Sequence, residues 1–295
     1  MQITQRVLNI LKLARRYKFL NRKIIQAALF SQDKDGSVTR DVLRKMTRAG
    51  LLRRISSTNE HIINTAPVYV PTEQGCCALA AQTGEMHWIL DCPPNTRSAQ
   101  SFPHYLCVTR LAMTLDSALS QQSYVQMPEL YFEHDLLGEE SDPEERYRLY
   151  TIVGKNNRGY NIISNSDFAC LIRVGQYARA YYWEFETGAD GSPTRVINKK
   201  TPGVVGLALS KKFQKHFPDA QDLRCVAVCP NPAWRESMRK AVRALNNSEA
   251  EKLWLFVSLG DLNVDSFLHE SVFYTATEGP KPFVKAPPQP SPVGE

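Results

Sequence analysis

The chain has 295 residues, 43% hydrophobic and 22% charged, with a formal net charge of +6. That length predicts two compact units, and that balance excludes a chain disordered throughout. No run of 18 apolar residues occurs, which excludes a bilayer span, and Met1–Arg6 leads into a charged helical pattern rather than an export signal. Seven scattered cysteines are an odd number, which argues against a disulfide framework and fits a reducing, cytoplasmic setting.

The charge is uneven. Residues 1–54 carry 14 Lys and Arg against three Asp, a balance of +11, so the remainder carries −5. A basic head on a mildly acidic body predicts a polyanion-binding module, and a solvated basic face is the plainer alternative.

In chain order, Ile3, Val7, Ile10, Leu11 and Ala14 fall at helical spacing, and Asn21 to Phe30 forms a second helix with Ile24, Ile25, Ala28 and Leu29 on its apolar side. The stretch Ser31 to Gly36 breaks the pattern. Its Asp33-Lys34-Asp35-Gly36 has the beginning of a calcium loop without the distal glutamate, and it reads as a turn. Ser37 as N-cap and Gly50 as stop bound a third helix, Val38 to Ala49. Val38, Val42, Leu43 and Met46 make its inward stripe, leaving Arg40, Arg44, Lys45, Thr47 and Arg48 outside. Leu51–Ile55 and Pro67–Pro71 read as a hairpin, with Arg53 and Arg54 on its first strand.

Three helices followed by a basic-stemmed hairpin is the winged helix-turn-helix order, in which the third helix enters a groove of double-stranded DNA and the wing touches phosphates. Arg40, Arg44, Lys45, Arg48, Arg53 and Arg54 are then the DNA-binding residues. A small helical bundle with charges for solubility is the competing reading. Thr72 to Ala81 closes this module, placed at residues 1–90. Asp91 to Gln100 is a linker, residues 101–279 form the second domain, and the Pro-rich residues 280–295 form an extended, mobile tail.

Within the second domain a helix runs from His104 to Ser120, and polar Gly138 to Glu145 separates it from a run of strands. From Asp167 the order is strand (Phe168–Val174), strand (Tyr181–Glu186), helix (Gly203–Phe217, after Pro202), strand (Leu223–Cys229), helix (Ala233–Leu245) and strand (Lys252–Val257). Such alternation predicts an α/β or α+β layer on a mixed sheet.

Glu184 and Glu186 lie two apart and leave their strand on one face, while Tyr181, Trp183 and Phe185 take the other. With a hairpin turning near Gln176 and Tyr177, Asp167 comes opposite Phe185 or Glu186. Three converging carboxylates make a hard-oxygen site for Mg²⁺ or Mn²⁺, since their crowding is costly until a cation neutralises it. A solvated polar sheet face is the alternative. Asn198-Lys199-Lys200 opens the next helical segment and can bring an ammonium group over the acids. Divalent metal and lysine together suit phosphodiester hydrolysis.

An Asp at the start of one strand, Glu-x-acid near the end of the next and Lys in the following helix resemble the PD-(D/E)XK nuclease fold. A winged helix in front of it, with His104 early in the linking helix, resembles the replication-relaxation family, which includes MobC-type plasmid relaxases. The likeness spans roughly Gln5 to Phe273 and rests on the order of parts. It implies Asp167 and Glu184 as metal ligands, Glu186 as second acid, Lys199 or Lys200 as the displaced lysine, and Glu133 as an upstream acid. Ser166 stands in place of the usual Pro, Glu186 in place of the commoner Asp, and Pro202 where the family helix carries its lysine-led turn.

Other features point elsewhere or nowhere. Cys225 and Cys229 share a strand face and read as buried thiols, and His61, His87, His134, His216 and His269 form no cluster. Phosphate-binding Gly loops and Gly-x-Ser-x-Gly are absent. The sequence therefore predicts an α+β protein, winged helix followed by a nuclease-like domain, that nicks DNA in plasmid mobilisation or replication. Its partners would be double-stranded DNA, a second copy of the chain and other mobilisation or replication proteins, with no membrane. The alternatives are a non-catalytic, sequence-specific regulator with a degenerate nuclease domain, and a defence or phage nuclease built from the same parts.

Overall fold

The helices begin where side-chain oxygens accept the orphan N–H groups of a first turn. Thr4 caps α1 (Gln5–Tyr17) and Asn21 caps α2 (Arg22–Leu29), accepting from Val7 and Ile24. The computed structural model describes residues 2–56, 66–85, 102–136, 146–188 and 191–284. It divides the chain into two compact units, residues 1–113 with 132–148, and residues 114–131 with 149–295.

The first unit continues with α3 (Ser37–Arg48), β2 (Leu52–Ile55), β3 (Val68–Pro71) and α4 (Glu73–Thr83), after a two-residue β1 (Leu20–Asn21). Its sheet has the order β1-β3-β2 and is antiparallel throughout. Val7, Ile10, Leu11 and Ala14 are buried as their spacing predicts. The start of α3 differs from expectation. Gly36, in the left-handed region at φ 69°, is the cap residue, and Asp33 does the capping. Its carboxylate accepts from the N–H of Val38 and from the N–H and hydroxyl of Thr39, at 3.3, 2.7 and 2.6 Å. This bond draws Thr39 inward, so Thr39, Leu43 and Met46 are the buried stripe and Val38 is 44% exposed. The acidic turn before α3 is a helix cap.

A long helix, α5 (Phe102–Ser120), starts in the first unit and ends in the second. The linker assigned to residues 91–100 and the polar stretch 138–145 lie outside the described residues, and the division between units falls within α5 instead.

The second unit is a mixed six-stranded sheet of order β11-β10-β9-β8-β7-β4. It is built from β4 (Val125–Phe132), β7 (Phe168–Val174), β8 (Tyr177–Phe185), β9 (Asp222–Cys229), β10 (Trp254–Ser258) and β11 (Tyr274–Thr275). The β7–β8 and β10–β11 pairs are antiparallel, whereas β8–β9 and β9–β10 are parallel. β5 (Thr151–Lys155) and β6 (Asn161–Ser164) form a separate hairpin. One sheet face carries Ala180, Tyr182, Cys225 and Trp254 against α6 (Pro193–Leu209), α7 (Pro232–Ala244) and α8 (Ser248–Leu253). On the other, Tyr181 and Trp183 pack at tilted angles against Phe283, and Trp183 also meets Phe267, which follows the first residue of a short α9 (Ser266–His269).

The α+β class and mixed sheet stand as expected, and several boundaries move: β8 starts four residues before the expected Tyr181, and α6 ends at Leu209 rather than Phe217. α6 begins ten residues before Gly203, because Ser192 caps it and Pro193 occupies its first turn. Pro202 therefore lies inside the helix, and Asn198-Lys199-Lys200 sits mid-helix rather than opening a segment. Lys252 and Leu253 end α8 instead of starting β10. Of the residues assigned to a loose tail, Phe283 and Val284 are buried, and Val284 donates its N–H to the carbonyl of Leu268. The tail residues 285–295 lie outside the described residues.

Candidate functional site

The site grows from the β7–β8 hairpin. Gly175 takes φ 58° at the turn, the conformation that a two-residue loop with glycine first requires. Phe168 pairs with Trp183, and one step further along that register Asp167 comes opposite Glu184. The expected partner, Phe185 or Glu186, is off because the turn is Gly175-Gln176, one residue earlier than Gln176-Tyr177. Asp167 donates its N–H to the carbonyl of Trp183 at 3.0 Å, and its Oδ2 accepts the N–H of Phe185 at 2.6 Å. It thus brackets Glu184 on both sides.

Glu184 is 3% exposed. Its Oε1 accepts from the hydroxyl of Ser166 at 3.0 Å and its Oε2 from the ammonium of Lys200 at 2.7 Å. Lys200 also donates to the carbonyl of Asn165 at 3.1 Å. Burial pushes the Glu184 carboxyl up to about 7, Lys200 works against that rise, and the neighbouring charge of Asp167 adds to it. Burial acts to lower Lys200, but Glu184 and then Asp167 outweigh it and hold the ammonium above its ordinary range. Two acids and one cation are thus in mutual electrostatic contact at the end of the sheet.

α6 is fixed where it carries Lys200. The next residue, Thr201, is buried and accepts from the indole N–H of Trp254 at 3.1 Å. At Gly203 a Cβ would stand 2.2 Å from the carbonyl oxygen of Ile163, so only glycine lets the helix lie this close to β6.

The other proposed acids and lysines are placed differently. Glu186 is buried one residue beyond β8, where its N–H donates to the carbonyl of Val228 at 2.9 Å. Its charge acts on Cys225 and Cys229, whose thiols are held above their ordinary range chiefly by burial. Lys199 is exposed and lines a cavity beside β5 and β6, so Lys200 is the lysine paired with Glu184. Glu133 falls in the turn after β4, in the first unit. Ser166, Asn165 and Thr201 belong to the site; Asn165 and Thr201 escaped sequence reasoning, and Ser166 stood out there only as replacing the usual Pro. Ser166 and Asn165 lie outside any strand, so no two-residue alternation marks them.

Among the described residues no group of three or more His, Cys, Asp or Glu is disposed to hold a metal ion, so the expected three-carboxylate convergence is replaced by the pair Asp167 and Glu184. One or two carboxylates completed by water and phosphate oxygens are the ordinary protein share of a Mg²⁺ site. The donor set fits that class and not a closed protein cage.

In the first unit, Arg40, Arg44, Lys45 and Arg48 are exposed on α3, on the side away from Leu43 and Met46. Asp41 binds Arg44 and reaches Lys45 at 2.9 Å. On β2, Arg54 is exposed and Arg53 half-buried. The hairpin loop 57–65 and residues His61 and His87 lie outside the described residues. No helix among the described residues is long and apolar enough to cross a membrane. Comparison with family models, curated proteins and solved structures found no match.

Proposed function

We propose that this chain is a DNA-binding protein of a mobile element, which grips duplex DNA through its first unit and nicks one strand at Asp167, Glu184 and Lys200. The single observation that carries this reading is Lys200 standing 2.7 Å from a buried Glu184 that faces Asp167 across two strands. Asp167 and Glu184 would hold Mg²⁺ or Mn²⁺, whose chemistry is to polarise the phosphate and lower the pKa of an attacking water. Lys200 then steadies negative charge as it develops on the phosphate. Thr201 and Gly203 keep that ammonium in place.

The element order α1-β1-α2-α3-β2-β3, with β3 between β1 and β2, supports a winged helix, and the outward cations of α3 support its use on a groove. The β7–β8–α6–β9 order with an Asp, a Glu and a helical Lys supports the PD-(D/E)XK likeness, and with it the replication-relaxation reading. A cytoplasmic setting, a second copy of the chain and further mobilisation or replication proteins belong to the same proposal.

A second reading has its own support. Lys200 already neutralises Glu184, and no third acid joins the pair among the described residues. That arrangement suits a sequence-specific regulator whose nuclease-like unit is silent. Supercoiled plasmid with Mg²⁺ or Mn²⁺ separates the two. Nicking that disappears in Asp167→Asn and Glu184→Gln establishes the nuclease; tight binding by the wild type with no nicked circle in either metal leaves the regulator.

A further inference from the structure

A second concave surface adjoins the lysine pair. Lys155, Arg158, Tyr160 and Asn161 of the β5–β6 hairpin, with Lys199 and Pro202 of α6, line a cavity of about 830 Å³. Three of its lining side chains are cationic and none is acidic. Consecutive residues of α6 therefore face two environments, since Lys199 lines the cavity and Lys200 binds Glu184.

Hydrogen bonds brace the turn of this hairpin. The side-chain oxygen of Asn156 accepts from the N–H of Arg158 at 2.9 Å and from that of Tyr160 at 3.0 Å, while its own N–H donates to the carbonyl of Tyr160. Gly159 supplies the left-handed turn at φ 81°. This braced loop holds Tyr160 69% exposed, accessible to a stacking partner. Gly203 and Gly206 seat α6 against Ile163 and Val153, which fixes the hairpin to the helix.

We propose that this cavity binds an unpaired stretch of DNA, with its phosphates on Lys155, Arg158 and Lys199 and a base stacked on Tyr160. Cations that follow a backbone, combined with an exposed aromatic ring, are how proteins hold single strands whatever their sequence. A duplex offers base edges and no free base face, so the ring selects the unpaired form. The proposal deepens the nuclease reading, on which the choice of DNA rests: Lys199, which lines the cavity, is the chain neighbour of Lys200, which binds Glu184.

The test uses the full chain carrying Arg40→Gln, Arg44→Gln and Arg48→Gln, which silences the basic helix, in EDTA. Fluorescence anisotropy measures binding of a labelled oligothymidylate of about 12 nucleotides, its duplex, and an abasic strand of equal length. Tyr160→Ala is expected to weaken oligothymidylate binding about tenfold. Removing the bases should cost the same factor in the parent chain and nothing further in Tyr160→Ala. The pair Lys155→Gln and Arg158→Gln should weaken both single strands and lower the salt slope by roughly 1.4. Wild-type affinity in both variants, or tighter binding of the duplex, overturns the proposal, and so does an abasic strand that binds as well as oligothymidylate. The outcome is separable from nicking: binding that depends on Tyr160 without any plasmid cleavage removes the nuclease and keeps the cavity. Cleavage with oligothymidylate binding indifferent to both variants does the reverse.

Discussion

The hydroxyl of Thr201 accepts a hydrogen bond from the indole N–H of Trp254 at 3.1 Å, tying the turn of α6 that carries Lys200 to the start of β10. Both residues are buried, Trp254 completely. Thr201→Val keeps the shape and strands the indole N–H, at a cost of about 1–3 kcal/mol. Urea titration gives the value, and a variant as stable as the wild type would show that the bond contributes nothing. Nicking should drop further than DNA affinity does, because Lys200 loses its anchor while α3 is untouched.

Two glycines of α6 separate a backbone clash from a side-chain one. In Gly203→Ala the new carbon meets the carbonyl of Ile163 at 2.2 Å, and the helix must move, costing about 2–3 kcal/mol. In Gly206→Ala it meets Cγ2 of Val153 at 2.5 Å, which can rotate away, and Cβ of Val153 at 2.9 Å, which cannot, so β5 must give slightly. Alanine's better helix propensity, about 1 kcal/mol, offsets part of that strain. Thermal unfolding should therefore place Gly203→Ala well below the wild type and Gly206→Ala between the two. Equal losses in the two would contradict the packing described.

Much of this site was legible in the chain. Two-residue alternation put Glu184 on one face and Tyr181 and Trp183 on the other, and a lysine was expected after them. The register was not, because one residue's difference in the position of a two-residue turn shifts every partner. Pro202 misled in a different way. A proline usually marks a helix start, but Ser192-Pro193 was the stronger start signal, and Pro202 is carried within a helix held by Thr201, Gly203 and Val204. Thr39 took an inward place despite its hydroxyl, because Asp33 satisfies that hydroxyl. The hairpin of β5 and β6 went unread, and with it the cavity that Lys199 lines.

Acidity should act on stability through Glu184. The folded protein holds that proton up to about pH 7, whereas an unfolded glutamate releases it near 4.5. Between those values the folded state binds more protons, so stability falls as pH rises through the window and levels off above it. Lys200, raised in the folded state, contributes stability that is full below the ordinary lysine range and lost as pH climbs past it. The difference in unfolding free energy between wild type and Glu184→Gln should shrink or reverse from pH 4.5 to pH 7.5, by roughly 3 kcal/mol at most. A flat difference would mean that Glu184 titrates normally. Asp167→Asn removes a repulsive neighbour and should move the Glu184 titration lower, as carbon-13 NMR of the carboxyl would register.

Asp41 restrains the basic helix. It holds Arg44 and Lys45 along α3, and both are well exposed. Asp41→Asn frees the two cations and removes a negative charge from the surface proposed to meet DNA. Duplex affinity should rise, on the order of threefold at moderate salt, with a steeper dependence on ionic strength. Unchanged affinity and slope would place the DNA-binding surface elsewhere.

The thiol of Cys225 lies fully buried next to the carboxylates, and burial first, then Glu184, keeps it protonated. Only a thiolate alkylates readily. Iodoacetamide should therefore modify exposed Cys77 long before Cys225, and the lag between the two sulfurs, followed by mass spectrometry, becomes a clock for how often the helical cover lifts from the strands. The molecule carries its own reporter at the place where its chemistry is proposed, and no label has to be engineered to read it.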